Sequence, residues 1–181
     1  MVGPRQVSLV PYSTPCGFVD RLDVAVARPQ ADALALRYTL VAKRDRVRIP
    51  PPATCARADG LWRHTCFEAF LKLAGESAYR ELNFSPSGEW AAYRFSGYRT
   101  GMLSDPEQSA PQLEVHPSAD GLILDARVPL PPALATATAL TMAIAAVVES
   151  DDGTLSYWAL RHPGSQPDFH HSDSFLLELA R

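Results

Sequence analysis

At 181 residues, 46% of them hydrophobic and 20% charged, the chain is long enough to bury a core without help from disulfides or metal, and one domain is expected. A formal net charge of -3 offers nucleic acid no basic surface, and no charge-free apolar run approaches the roughly 18 residues of a membrane span. The three cysteines (Cys16, Cys55, Cys66) are odd in number and lack CxxC spacing, and the N-terminus shows no apolar stretch ahead of a small-residue cleavage site; reduced thiols and a cytoplasmic location are the expectation.

Strand signals dominate from the N-terminal side onward. "GFVDRLDVAVARP" places Val19, Leu22, Val24 and Val26 in imperfect alternation, and "ALALRYTLVA" (33 to 42) follows as a clearer strand. The basic run Lys43 to Arg48, broken by Asp45, reads as a charged sheet edge or loop with no partner assigned. In "LWRHTCFEAFLKL" a strand would send Thr65, Phe67, Ala69, Leu71 and Leu73 one way and Cys66, Glu68, Phe70 and Lys72 the other. Helical spacing of Phe67, Phe70, Leu71 and Ala74 competes, but flanking "ADG" and "AGES" favour the strand.

A hairpin comes next. Strands over 78 to 85 and 90 to 95 join across "SPSG", and a glycine bulge there would decide whether Arg94 shares a face with Asn83, which the sequence leaves open. Further strands run over 112 to 117, 122 to 130, 140 to 149, 155 to 160 and 174 to 180, with turns at "PSADG" and "SDDG". In 122 to 130 one face, Leu122, Leu124, Ala126, Val128 and Leu130, belongs to the core. "LTMAIAAVV" is apolar on both parities and should lie mid-sheet. "PPALATATAL" is the best helix candidate, with proline in the tolerant first turn and threonines working against extension. The aperiodic stretch 161 to 173 is a long loop, a frequent place for function. The fold class is therefore all-β, an antiparallel β-sandwich of immunoglobulin-like or jelly-roll type with at most one or two short helices.

Candidate binding residues gather in two places. Glu68, Asn83 and Arg94 beside the ring of Trp62 or Trp158 would suit a carbohydrate, whose C–H face packs on an aromatic ring while its hydroxyls pair with carboxylate, amide and guanidinium groups. The plainer alternative makes Trp62, Trp90 and Trp158 core or rim aromatics and Glu68 and Arg94 a simple ion pair. Arg63, His64, Arg161, His162, His170 and His171 would form the rim.

The segments "LWRHTCFEAFL", "YRELNFSPSGEWAAYRF" and "DARVPLPPAL" resemble the DOMON-like superfamily, which includes the family-nine carbohydrate-binding modules, and more closely the small bacterial DOMON-like domain proteins. The likeness runs from about residue 30 to the end, and "ELNFSPSGEWAAYRF" is its most specific part. It implies a ligand-binding sandwich without turnover, taking a sugar or haem. For a sugar it implies Trp62 and Trp158 as stacking surfaces and Glu68 with Arg94 as hydroxyl partners. For haem it implies Met102 with His162, His170 or His171 as axial ligands.

Other chemistry is thin. "DFHHSD" mixes Asp168, His170, His171 and Asp173 without an established metal spacing, even with His64 or His162 added, so no metal is assigned. No GxSxG elbow, phosphate loop, HExxH or dinucleotide glycine pattern is present, and a Glu68–Glu81 pair of glycosidase type would depend on their separation. No catalytic residue is assigned. The rivals to a sugar-binding domain are a haem or redox protein and a protein-interaction module presenting Trp62 and Trp90.

Overall fold

The computed structural model describes residues 3–13 and 17–180; the thiol of Cys16 lies outside the described residues. Two antiparallel sheets face each other. The first has the order β1 (Arg5–Ser8), β3 (Val19–Gln30), β4 (Ala33–Ala42), β10 (Gly121–Pro129) and β9 (Gln112–Ser118). The second runs β2 (Val10–Pro11), β12 (Leu155–Ala159), β11 (Ala139–Glu149), β5 (Cys66–Leu73), β6 (Tyr79–Phe84), β7 (Trp90–Phe95) and β8 (Leu103–Ser104), and β13 (Leu177–Ala180) also pairs with β11. The expected β-sandwich is the observed one.

Alternation places the core. From β10, Leu122, Leu124, Ala126 and Val128 are buried against Phe67, Ala69 and Leu71 of β5 and Leu140, Met142, Ile144 and Ala146 of β11. Each large side chain buried this way contributes on the order of 2 kcal/mol. The imperfect alternation in β3 has a cause: its pairing with β4 shifts register between Val19 and Arg21, a bulge that resets which parity faces inward. The mid-sheet position of 140 to 149 is confirmed, since β11 is hydrogen-bonded to β12 and β13 on one side and β5 on the other.

The helix candidate shrinks to one turn, α1 (Pro132–Ala135), because Thr136 and the β11 pairing that starts at Ala139 end it. Arg28 reaches across to donate to the carbonyls of Leu134, Ala135 and Ala137, which a helix end leaves without partners. The basic run folds as a 3-10 turn over Arg44–Arg46, with Arg46 paired to Asp151 at 2.8 Å and Arg48 to the buried Glu149 at 3.0 Å, so its charge is met by the β11–β12 hairpin. Among the described residues no helix is long and apolar enough to cross a membrane. Tyr38, fully buried on β4, packs its ring 4.9 Å from Phe67 and donates its hydroxyl to the Glu68 carbonyl at 2.9 Å. That bond ties one sheet to the backbone of the strand that carries the site.

Candidate functional site

The second sheet has an outer face as well as an inner one. Cys66, Glu68 and Phe70 of β5 point outward, and the register pairs Glu68 with Asn83 and with Ala145, and Phe70 with Glu81 and with Ala143. Alanines at 91, 143, 145 and 159 keep this face low, and Phe169 and Phe175 from the loop between β12 and β13 settle on it. Beside them the face stays open as a cleft of about 490 Å³. Its floor holds Glu68, Glu81, Val147 and Tyr157; Trp62 and Arg63 stand on one side, and Phe95, Arg99 and Met102 on another, with Pro167, Phe169 and His170 closing it from the loop.

Local sequence explains each wall. Gly60, at φ 76°, begins a 3-10 turn over Leu61–Arg63 that sets Trp62 edge-on to Tyr93 at 5.6 Å. Arg99 is the one described non-glycine residue with positive φ, at 51°, held in a turn where the Ser96 amide donates to the Thr100 carbonyl. Asp168 fixes it, accepting from Arg99 Nη2 at 2.9 Å and from the Tyr98 hydroxyl at 2.5 Å. The loops over 96–102 and 161–174 are thereby joined over the outer face.

Burial sets the electrostatics. Glu68 is 3% exposed and Glu81 4%. Burial, then the neighbouring Glu81, holds the Glu68 carboxyl well above the usual carboxylate range. Burial likewise raises Glu81 to about 7, although the Asn83 amide donates to its Oε1 at 2.9 Å and Arg99 acts in the opposite sense. His170, whose Nδ1 lies 2.7 Å from the Tyr79 hydroxyl, is lowered to about 4 by burial and by Arg99, so its ring is neutral at pH 7. Glu68 Oε1 and Asn83 Oδ1 are buried without a hydrogen-bond partner. These two oxygens belong to cross-strand neighbours, and leaving them unpaired is costly unless a donor satisfies them.

Of the five principal candidates, Trp62 and Glu68 line this cleft and Asn83 sits beneath it, bonded to Glu81. Trp158 does not: it pairs with Ala146 on the inward parity, is 3% exposed in the core between the sheets, and donates Nε1 to Ser156. Arg94 does not either. The connection Ser85 to Glu89 has five residues, with Gly88 at φ 95°, so Phe84 pairs with Trp90 and Arg94 falls opposite Arg80 on the other face from Asn83. The alternative of a Glu68–Arg94 ion pair fails for the same reason, and Arg63 and Arg99 are the arginines that line the cleft.

The rim candidates also separate. Arg63 and His170 line the cleft, whereas His64 binds Glu149 at 2.8 Å, His162 holds the Val10 carbonyl at 2.9 Å, Arg161 is exposed elsewhere, and His171 caps the 3-10 turn over Ser172–Ser174. Sequence reasoning weighed Glu81 only as half of a catalytic pair and missed Arg99, Phe95 and Tyr157. The strand parity shared by Glu81 and Asn83 was the available signal for the first; nothing periodic marks the turn that carries Arg99. No three His, Cys, Asp or Glu side chains among the described residues converge in a way that would hold a metal ion. Of the haem candidates, Met102 and His170 line the cleft and His162 and His171 do not; His170 Nδ1 is bonded to Tyr79 and its Nε2 lies 3.9 Å from Glu81.

No protein-family model matches the chain, and no curated protein is significantly similar to it. Solved structures are similar in fold. A candidate carbohydrate-binding protein from Bacteroides uniformis superposes with a TM-score of 0.69 at 12% identity, covering 98% of this chain and 86% of that one. A family 9 carbohydrate-binding module from Caldicellulosiruptor kristjanssonii, in complex with cellotriose, gives 0.57 at 12% identity over 98% and 82% of the two chains. Its complex with glucose gives 0.54 at 12% identity over 94% and 80%. At these identities the likeness establishes the shared β-sandwich.

Proposed function

We propose that the cleft on the outer face of the second sheet binds a saccharide or sugar-containing metabolite without turning it over, in a protein of the DOMON-like kind. One observation carries this reading: Trp62 and Glu68 line the same cleft, an apolar ring beside a buried carboxyl whose Oε1 has no hydrogen-bond partner. That pairing suits a ring with one C–H face and hydroxyl edges. The fold neighbours that hold cellotriose and glucose support the sugar class. A binding role, as opposed to hydrolysis, is supported by the same fold neighbours, which are carbohydrate-binding modules. Against an interaction module stand the concave setting of Trp62 and the burial of Trp90, 5% exposed beneath the Arg57 guanidinium at 4.2 Å. A reducing, cytoplasmic setting belongs to the same proposal, supported by the unpaired thiols of Cys55 and Cys66.

The test is a titration of tryptophan fluorescence with mono- and oligosaccharides, after one absorption spectrum. A saturable change that Trp62→Ala removes is expected, with no Soret band. Silence towards every sugar overturns the reading.

A further inference from the structure

We propose that the cleft selects a sugar bearing a protonated primary amine, with the ammonium seated at Glu68 and Glu81; this rests on the saccharide reading and deepens it. Two acidic side chains do not make a site by themselves. Here Glu68 is 3% exposed, lines the cleft and keeps Oε1 without a partner, so the chain has left an acceptor for something that enters.

No side chain of the protein supplies that donor. The Asn83 amide is committed to Glu81 Oε1. Arg99 binds Asp168 through Nη2 and Nε. His170 is neutral and comes no closer to Glu81 than 3.9 Å. Arg63 reaches the cleft only from its exposed rim. The other titratable groups facing the pair, Cys66, Tyr79 and Tyr93, are held in their neutral forms by burial. Apart from the protons that the carboxyl pair itself retains, the deep end is thus rich in acceptors and poor in donors. A hydroxyl brings lone pairs along with its proton, whereas an ammonium brings three N–H donors and no acceptor. Trp62, Phe95, Tyr157 and Phe169 add ring surface around the same space, which favours a cation over a second anion.

In the free protein the carboxyl pair retains protons near neutrality. Seating an ammonium favours the doubly ionised pair, so binding releases a proton to the buffer.

The experiment is calorimetric titration of the intact protein at pH 7 with glucosamine, glucose, N-acetylglucosamine and cyclohexylamine, each in two buffers of different ionisation enthalpy. Glucosamine is expected to bind at least about tenfold tighter than glucose, with net proton release, and N-acetylglucosamine no tighter than glucose. Glucose or N-acetylglucosamine equalling glucosamine overturns the amine inference and leaves the saccharide reading standing. Cyclohexylamine binding without glucose keeps the ammonium seat and removes the saccharide reading; silence from all four removes both. Glu68→Gln, checked for folding by its circular-dichroism melt, should erase the preference for glucosamine, whereas Trp62→Ala should weaken both sugars and keep the preference.

Discussion

The two faces of the second sheet are made from the same strands and follow different rules. The inner face carries Phe67, Ala69, Leu71, Ile144 and Trp158, packed against the first sheet, and the polar Ser156 on the same parity is bonded to Trp158. The outer face mixes Phe70, Tyr79 and Tyr93 with Glu68, Glu81 and Asn83, and is covered in part by loop residues. Both are buried, yet only the outer one leaves polar atoms without partners and space beside them. Burial alone therefore says nothing of function here; an unsatisfied acceptor next to a void does.

The two tryptophans offer the sharpest break in that comparison. Trp158→Ala opens a cavity in the core and should cost about 3–5 kcal/mol of stability, read as a large fall in the denaturant midpoint. Trp62→Ala should cost about 1 kcal/mol or less, because its ring is only part-buried against Tyr93, while abolishing the sugar-dependent fluorescence change. Equal loss of stability in both would return Trp62 to the core.

Acidity separates the faces next. Glu81 is raised to about 7 in the folded protein from an ordinary value of 4.5. The folded state therefore binds more protons than the unfolded chain between those values, and stability falls as pH climbs from about 4.5 through 7. Glu81→Gln keeps an acceptor for the Asn83 amide and removes the buried charge, so it should stabilise the protein by on the order of 2 kcal/mol at pH 8 and leave it nearly unchanged at pH 4. Thermal melts at the two pH values check this; a pH-independent difference would mean the carboxyl is not protonated on folding.

A smaller effect is expected where the two covering loops are joined. Asp168→Asn weakens the contacts to Arg99 and Tyr98 and should loosen the 96–102 turn, lowering ligand affinity about three- to tenfold with stability within about 1 kcal/mol. Least of all should follow from Arg94→Ala. Its side chain is exposed on the face away from the cleft, so binding should be unaltered and stability within about 0.5 kcal/mol. Loss of sugar binding there would contradict the strand register itself.

Much of this arrangement was legible in one dimension. The alternation in 65 to 73 and 122 to 130 assigns Phe67, Ala69 and Leu71 to one face and Glu68 to the other, because an extended backbone has a period of two whatever it packs against. The placement of Trp158 was not legible: Tyr157 and Trp158 are both large aromatics on adjacent parities, and pairing with Ala146 is what turns Trp158 inward. Arg94 depended on the five-residue connection around Gly88, since one residue more or fewer would have exchanged the faces of the whole return strand. Arg99, Phe169 and His170 sit in aperiodic segments whose position is set by bonds to Asp168 and Tyr79 from distant parts of the chain. The sequence by itself determined the strands, their core faces and the outward carboxylate, which are local consequences of backbone geometry and side-chain hydrophobicity. Only the tertiary structure decided which aromatic rings and which arginine surround that carboxylate, because strand register and loop closure depend on contacts between residues far apart in the chain.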